Sequence, residues 1–181
     1  MLDILMSVHQ EWIVKMASGE KTGELRHTWP KLCEAPFRVR LYCTRGRGPE
    51  TLLLDGNGGA VIGDYRNIHN GWQIGNGFVV GEFICPGRTI VKSGTKGRVA
   101  PWLEHLVEAA NVTCLAPEQI LAYVGEGHGS VWHVCDVKIY DKPMELDRFF
   151  MPAERDGTWM RHVEKAPQSW CYIENIVRGV G

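Results

Sequence analysis

Hydrophobic and polar residues alternate most clearly between Phe37 and Thr44. One face of this extended segment would carry Phe37, Val39, Leu41 and Cys43, and the other would carry Arg38, Arg40, Tyr42 and Thr44. The alternation predicts a strand with one apolar face and one polar face that holds two arginines.

Other stretches predict a mixture of strands and short helices. A first strand is expected at Leu2 to Val8, and helical spacing from His9 to Ser18 ends at Gly19. The segment from Gly77 to Cys85 is apolar on both sides, as in a covered strand, and Glu82 is its one charge. Two further strands are expected at Val131 to Tyr140 and Trp170 to Glu174, and helices are expected at Pro101 to Ala110 and Pro117 to Val124. With no βαβ repeat, this order favours an α+β fold, a small mixed β-barrel with flanking short helices.

The glycine-rich stretch 46–77 predicts an insertion built of turns. Turn-forming clusters occur at Asp55 to Gly59 and at Asn70 and Gly71. The chain has 181 residues, of which 44 % are hydrophobic, a size and composition that suit one domain with a substantial core. A single domain over 1–181 with a loop insertion at 46–77 is therefore expected.

Positive charge is concentrated in one part of the chain. The net charge is −1, but the segment from Lys15 to Arg47 contains eight basic and three acidic residues, a local balance of +5. Such an asymmetry suits an anionic ligand, although solvated surface charge produces the same pattern.

Several classes of protein and site are disfavoured by the sequence. It has no apolar run long enough to span a membrane and no signal peptide at its start, so a cytoplasmic protein without a membrane partner is expected. Its six cysteines form no CxxC pair, and its seven histidines form no HxxxH or HExxH motif. No metal site is therefore predicted, and no cofactor is implied.

The segment Gly19-Glu20-Lys21-Thr22-Gly23-Glu24-Leu25-Arg26 follows the first predicted helix and resembles the GxKxxExR signature of the ASCH domain, a PUA-like family. The order of the surrounding elements, from Ile4 to about Phe149, resembles that family too, with 46–77 as additional material. The final strand at Trp170 is also similar to the last strand of bacterial and phage ASCH proteins.

The resemblance implies a PUA-like β-barrel that binds RNA, with Lys21, Glu24 and Arg26 lining a cleft between the barrel and the first helix. Some ASCH proteins are amidohydrolases of acetylated cytidine, and a nuclease activity has been described in the family. The amidohydrolases carry a nucleophilic threonine where this chain has Glu24, which weighs against that chemistry here.

The residues themselves suggest how such a cleft would bind a ligand. Lys21 could act as a point charge for phosphate or as a general base, Arg26 could bind a phosphate or a base edge, and Glu24 could accept from an exocyclic amine. Because they lie two apart on a strand, Glu24 and Arg26 would share a face and could pair. We expect Lys21 and Arg26 to sit at a cleft and not in the core. The other candidate ligand-binding residues are Thr22, Arg38, Arg40, Tyr42 and Trp170.

Three functions remain open at this point. The first is a module that binds RNA, single-stranded nucleic acid or a nucleotide-like small molecule. The second is a hydrolase of a modified nucleoside or an RNA-cleaving nuclease that uses Lys21 with Glu24 or Glu82, although Glu82 could instead be a structural partner of Arg38 or Arg40. The third is a protein-interaction domain that uses 46–77, where Tyr65 and Trp72 would be exposed.

Overall fold

A five-stranded mixed sheet forms the centre of the computed structural model, which describes residues 2–46, 48–68, 71–92, 101–152 and 161–174. The strand order is β10-β7-β3-β1-β11, in which β1 and β3 are parallel and the other neighbours are antiparallel. These strands are β1 (Leu2–Val8), β3 (Phe37–Cys43), β7 (Val79–Cys85), β10 (Cys135–Met144) and β11 (Trp170–Glu174).

A second antiparallel sheet, in the order β2-β9-β8, carries two of the helices. Its strands are β2 (Gly23–Arg26), β8 (Arg88–Lys92) and β9 (His128–His133). Helices α2 (Pro101–Thr113) and α3 (Pro117–Val124) pack on one face of it, where Leu25 and Val131 meet Leu106 and Ile120 in a buried cluster. This sheet positions the segment that follows α1 (Gln10–Ala17).

The glycine-rich region contains a third sheet, so the expectation that 46–77 is built of turns is wrong. Strands β4 (Glu50–Leu54), β5 (Ala60–Asp64) and β6 (Gln73–Ile74) pair in the order β5-β4-β6, and a short 3-10 helix covers Tyr65–Asn67. Leu52 and Leu54 are fully buried and join the main core beside α1. Most of the glycines here lie between strands, although Gly63 lies within β5. The apolar run of β4 packs like any core strand.

Both faces of the central sheet are covered, so the polar face expected on β3 is largely buried. One face packs Val39 and Leu41 with Trp132 of β9 in the main core. On the other face, Tyr42 packs with Leu5 and Phe149 in a separate cluster. Arg40 is 5 % exposed and Tyr42 is 6 % exposed, so these side chains belong to the interior.

The remaining predicted elements are of the observed kind, helix or strand, but some of their bounds differ from the structure. The strands at Leu2 and Trp170 and the helix at Pro117 occur over the expected residues, whereas α2 extends to Thr113. The single strand expected at Val131 to Tyr140 is two strands that separate at Val134, close to Asp136 with its left-handed backbone (φ 51°).

Within the described residues the strands form three separate sheets, and hydrogen bonds do not join them into a closed barrel. The fold is α+β with three helices in these residues. None of these helices combines the length and the apolar character that crossing a bilayer requires.

Candidate functional site

A cleft of about 290 Å³ opens where the end of β1, the start of α1, β2 and the region around α3 meet. Lys21, Glu24 and Arg26 lie together in its lining. The other lining residues are Ser7, Val8, His9, Trp12, Leu25, Leu115 and Tyr123.

Lys21 is brought into the cleft by the turn that follows α1. Gly19 has a left-handed backbone (φ 79°), which a residue without Cβ adopts at little cost, and the N–H of Lys21 then donates to the carbonyl of Lys15 at 2.9 Å. The Lys21 Nζ donates to the carbonyl oxygen of Thr113 at 2.6 Å and lies 4.9 Å from the centre of the Trp12 ring. Only 2 % of Lys21 is exposed, so the expectation that it sits outside the core is wrong.

Glu24 bridges the two cations of the cleft. Its Oε2 lies 3.2 Å from Lys21 Nζ, and its Oε1 lies 2.9 Å from Arg26 Nη2. Glu24 and Arg26 are two residues apart on β2, so both side chains project from the same face of that strand. The Glu24 side chain is 9 % exposed, and burial strengthens its attraction to both cations.

Arg26 is held by the end of β1 and by the segment before β11. Its Nη2 donates to the carbonyl of Ser7 at 2.8 Å, and its Nη1 donates to Ser169 Oγ at 3.3 Å. Its buried Nε has no hydrogen-bond partner among the described residues, while its side chain remains 13 % exposed. These contacts fix the direction of the guanidinium, which leaves the cleft with an ordered cation at its edge.

The charges of the cleft sum to a small excess of positive charge. Lys21 and Arg26 contribute two positive charges against the one negative charge of Glu24. The start of α1 lies beside them, and the N-terminal end of a helix carries partial positive charge. The cleft can therefore accept a singly charged anion while Glu24 remains available to receive N–H donors.

Gly23 allows β2 to pack closely against α2. A Cβ atom at this position would lie 2.7 Å from Val131 Cγ1 and 2.8 Å from Val112 Cγ2. The N–H of the preceding Thr22 donates to the carbonyl of Val112 at 2.9 Å. The close approach and this hydrogen bond fix Lys21 and Glu24 relative to the end of α2.

Glu82, Arg38 and Arg40 are separate from this cleft and form a second ionic cluster on the other face of the central sheet. Glu82 is in close contact with the Arg40 guanidinium, accepts from the Tyr140 hydroxyl at 2.6 Å and lies 3.5 Å from Arg38 Nε. Arg40 Nη2 also lies 3.3 Å from Asp3 Oδ2. Glu82 thus has structural partners and lies apart from Lys21.

Asp3 and Arg40, the two buried residues of this cluster, both have raised pKa values. Burial, the largest effect, raises the pKa of Asp3, although Arg40 and Arg38 act to lower it. Burial also acts to lower the pKa of Arg40, but Tyr140, Glu82 and Asp3 together outweigh it and raise that pKa above its usual value. Arg40 is therefore a fixed cation. For Asp3, the attraction of the two arginines offsets only part of the free energy that burial adds to its ionisation.

The last three predicted ligand-binding residues also lie outside the lining of the cleft. Tyr42 is buried in one cluster with Phe149, and the Trp170 ring packs against Trp132 with its Nε1 donating to Thr28 Oγ1 at 3.1 Å. Thr22 is exposed and lines a different depression, next to Gly19 and Asp136.

Sequence reasoning missed several residues that complete the cleft. Trp12 and Tyr123 line it, and Tyr123 stacks on His27 with ring centres 4.1 Å apart. In the sequence, Trp12 is marked only by its position in the first predicted helix, and nothing indicates that Tyr123 belongs to a site. The contact with Thr113 uses a backbone oxygen, which no residue type could reveal. In the described part of the chain, no group of three or more metal-binding side chains is assembled.

The sequence matches no protein-family model and no curated protein. The structure is similar to crystal structures of an ASCH protein from Zymomonas mobilis. The similarity to this protein has a TM-score of 0.52 at 15 % identity and covers 96 % of this chain and 88 % of that one. A tyrosine-to-phenylalanine mutant gives a TM-score of 0.51 at 15 % identity (96 % and 91 % covered). A serine-to-alanine mutant of it gives a TM-score of 0.51 at 14 % identity, with 96 % of this chain and 89 % of that chain covered. This chain has the fold of an ASCH-type domain.

Proposed function

We propose that this protein binds RNA, or a nucleotide-like ligand, by placing one nucleotide unit in the cleft of Lys21, Glu24 and Arg26. The observation that carries the proposal is that an ammonium, a carboxylate and a guanidinium meet in one concave space. The volume of about 290 Å³ lies just below the range of small-molecule clefts, roughly 300–1,000 Å³, so it suits one unit of a chain.

The chemistry of the cleft matches the chemistry of a nucleotide. The excess positive charge favours a phosphate, and the guanidinium of Arg26 supplies an ordered cation at the edge of the cleft. Glu24 is an acceptor for the exocyclic amine that cytosine and adenine carry. Trp12 and Tyr123 add aromatic surface of the kind on which unstacked bases are held.

The proposal includes the arrangement of the three sheets as a PUA-like barrel. Trp132 of β9 packs in one core with Val39 of β3 and Leu54 of β4, so all three sheets enclose a common interior. We infer a partly open barrel in which the cleft lies at the junction of the first helix with two of the sheets.

Binding is better supported than hydrolysis by the surroundings of Lys21. A backbone carbonyl at 2.6 Å and a carboxylate at 3.2 Å are both partners of an ammonium group. In this arrangement Lys21 is a donor and a fixed positive charge, whereas a general base would have to present a free lone pair. Glu82, the other candidate acid, is committed to Arg40 and Tyr140.

Titration calorimetry with the four nucleoside 5′-monophosphates and with short single-stranded RNA tests the proposal. Arg26→Gln should weaken binding by about tenfold or more, because charge-assisted hydrogen bonds to a bound anion contribute roughly 1.5–3 kcal/mol. Arg66→Gln is the matched control, since Arg66 is an exposed, ion-paired arginine in the 3-10 helix that follows β5. A thermal melt of each variant establishes that it is folded.

The proposal fails if the wild-type protein binds neither monophosphates nor RNA, or if Arg26→Gln binds as tightly as wild type. Chromatography of the ligands after incubation separates binding from catalysis. If the protein is also incubated with an acetylated cytidine, formation of a product would assign the hydrolase function instead.

A further inference from the structure

A second surface, formed by Trp29, Arg88 and Ile90, lies outside the cleft and combines an aromatic ring with a cation that has no ion pair in the described part of the chain. We call it the Trp29–Arg88 surface. Trp29 is half-buried, Arg88 is exposed and Ile90 is 43 % exposed. None of these residues lines the cleft.

The Trp29 ring is held in place from beneath. It makes edge contacts with Phe37 at 5.2 Å and with Trp132 at 5.3 Å between ring centres. Trp132 is fully buried, and its Nε1 donates to the carbonyl of Thr28 at 3.1 Å, which fixes the segment that carries Trp29. An aromatic surface that is already ordered loses little conformational entropy when a ligand binds.

Arg88 is oriented without being neutralised. Its guanidinium carbon lies 5.0 Å from the centre of the Trp29 ring, and its Nη1 donates to Ser130 Oγ at 3.1 Å. No carboxylate among the described residues lies within ion-pair distance of it, whereas Arg26, Arg40 and Arg66 each have one. A planar cation fixed on a ring, with free N–H groups, is suited to a phosphate or to the face of a base.

The β2-β9-β8 sheet connects this surface to the cleft. Arg26 is paired with Ser130 across β2 and β9, and Ser130 is paired with Ile90 across β9 and β8. Arg88 is two residues from Ile90, so Arg26, Ile90 and Arg88 project from the same face of the sheet. Two strand spacings and two residues along a strand place the Cα atoms of Arg26 and Arg88 ~12 Å apart.

We propose that the Trp29–Arg88 surface binds the nucleotides that flank the one in the cleft, with a phosphate on Arg88 and base stacking beside Trp29. This inference rests on the proposed function and narrows it, because it makes single-stranded nucleic acid, and not a free nucleotide, the preferred ligand. Single strands are bound in this way elsewhere, by cationic side chains along the backbone and aromatic rings under the bases.

The experiment compares ligands of one and four nucleotides. Wild-type protein should bind a single-stranded RNA tetranucleotide at least tenfold more tightly than the matching monophosphate. Arg88→Ala should weaken tetranucleotide binding about five- to tenfold and leave monophosphate binding unchanged. It should also reduce the slope of log K against log salt by about 0.7, the contribution of one phosphate contact on a single strand. Arg66→Ala should leave all three quantities at their wild-type values.

The inference is overturned if Arg88→Ala binds the tetranucleotide like wild type, or if it weakens both ligands equally. It is also overturned if wild-type protein binds the tetranucleotide no more tightly than the monophosphate, a result that leaves the proposed function intact. If neither ligand binds, the proposed function fails and the inference fails with it. Trp29→Phe keeps an aromatic ring against Phe37 and Trp132, so this variant should lose less affinity for the tetranucleotide than Arg88→Ala does.

Discussion

The Nζ atom of Lys21 donates to the carbonyl oxygen of Thr113 across 2.6 Å, which joins the candidate cleft to the last residue of α2. The C-terminal end of a helix carries partial negative charge and favours a cation there. The N–H of Thr22 donates to Val112 in the same turn of α2. The position of the ammonium therefore depends on how α2 packs against β2.

Gly23→Ala should destabilise the protein and weaken ligand binding together. The new methyl group would overlap side chains of Val131 and Val112 and force β2 away from α2. Overpacking of this kind costs about 1–3 kcal/mol, which urea unfolding would measure. Gly87→Ala is the control, because a Cβ there would meet only His133 Nδ1, at 3.9 Å. Equal stability of the two variants would contradict the packing described for Gly23.

Glu24→Gln should reduce the free energy of unfolding by about 3 kcal/mol, because it removes the negative charge between two buried or nearly buried cations. An exposed carboxylate with no ion pair among the described residues, Glu126, provides the control variant Glu126→Gln, which should change stability little. If denaturant midpoints show Glu24→Gln to be as stable as wild type, Lys21 and Arg26 do not depend on Glu24 as the structure indicates.

Asp3→Asn should change the pH dependence of stability. The raised pKa of Asp3 means that its contribution to stability is complete below pH 3.8, the usual value, and is lost as the pH rises through the pKa of the folded state. The free energy of unfolding of wild type minus that of Asp3→Asn should therefore fall as the pH rises above about 4.

Asp64→Asn provides a comparison of opposite sign for this experiment. Arg66 lowers the pKa of Asp64 to about 2, so the contribution of Asp64 is present above pH 3.8 and is lost as the pH falls through about 2. Denaturant unfolding between pH 2 and 7 would measure both variants. A wild-type minus Asp3→Asn difference that rises with pH would contradict the burial of Asp3.

The elements of this fold were largely readable from the sequence because periodicity reports burial directly. Leu2–Val8 and Trp170–Glu174 were predicted with their observed bounds. Stretch 46–77 was misread because its many glycines dominated the local pattern, although Leu52, Leu53 and Leu54 are an apolar run of a typical strand.

The local part of the candidate site was predictable, and the part assembled by tertiary contacts was not. Lys21, Glu24 and Arg26 lie in one turn and one strand, so their spacing alone places them together. Alternation on β3 could not distinguish a ligand-facing surface from a buried ionic cluster, because Arg40 is polar in either case. The distant residues Thr113 and Ser169 join the site through contacts that no local pattern encodes.

The antiparallel pairing of β11 with β1 determines where the chain can be shortened. Removing everything after Phe149 would turn β1 into an unprotected sheet edge and strip Arg26 of its Ser169 hydroxyl. Edges of that kind recruit neighbouring molecules and promote aggregation. A soluble recombinant fragment of this protein must therefore extend at least through Glu174.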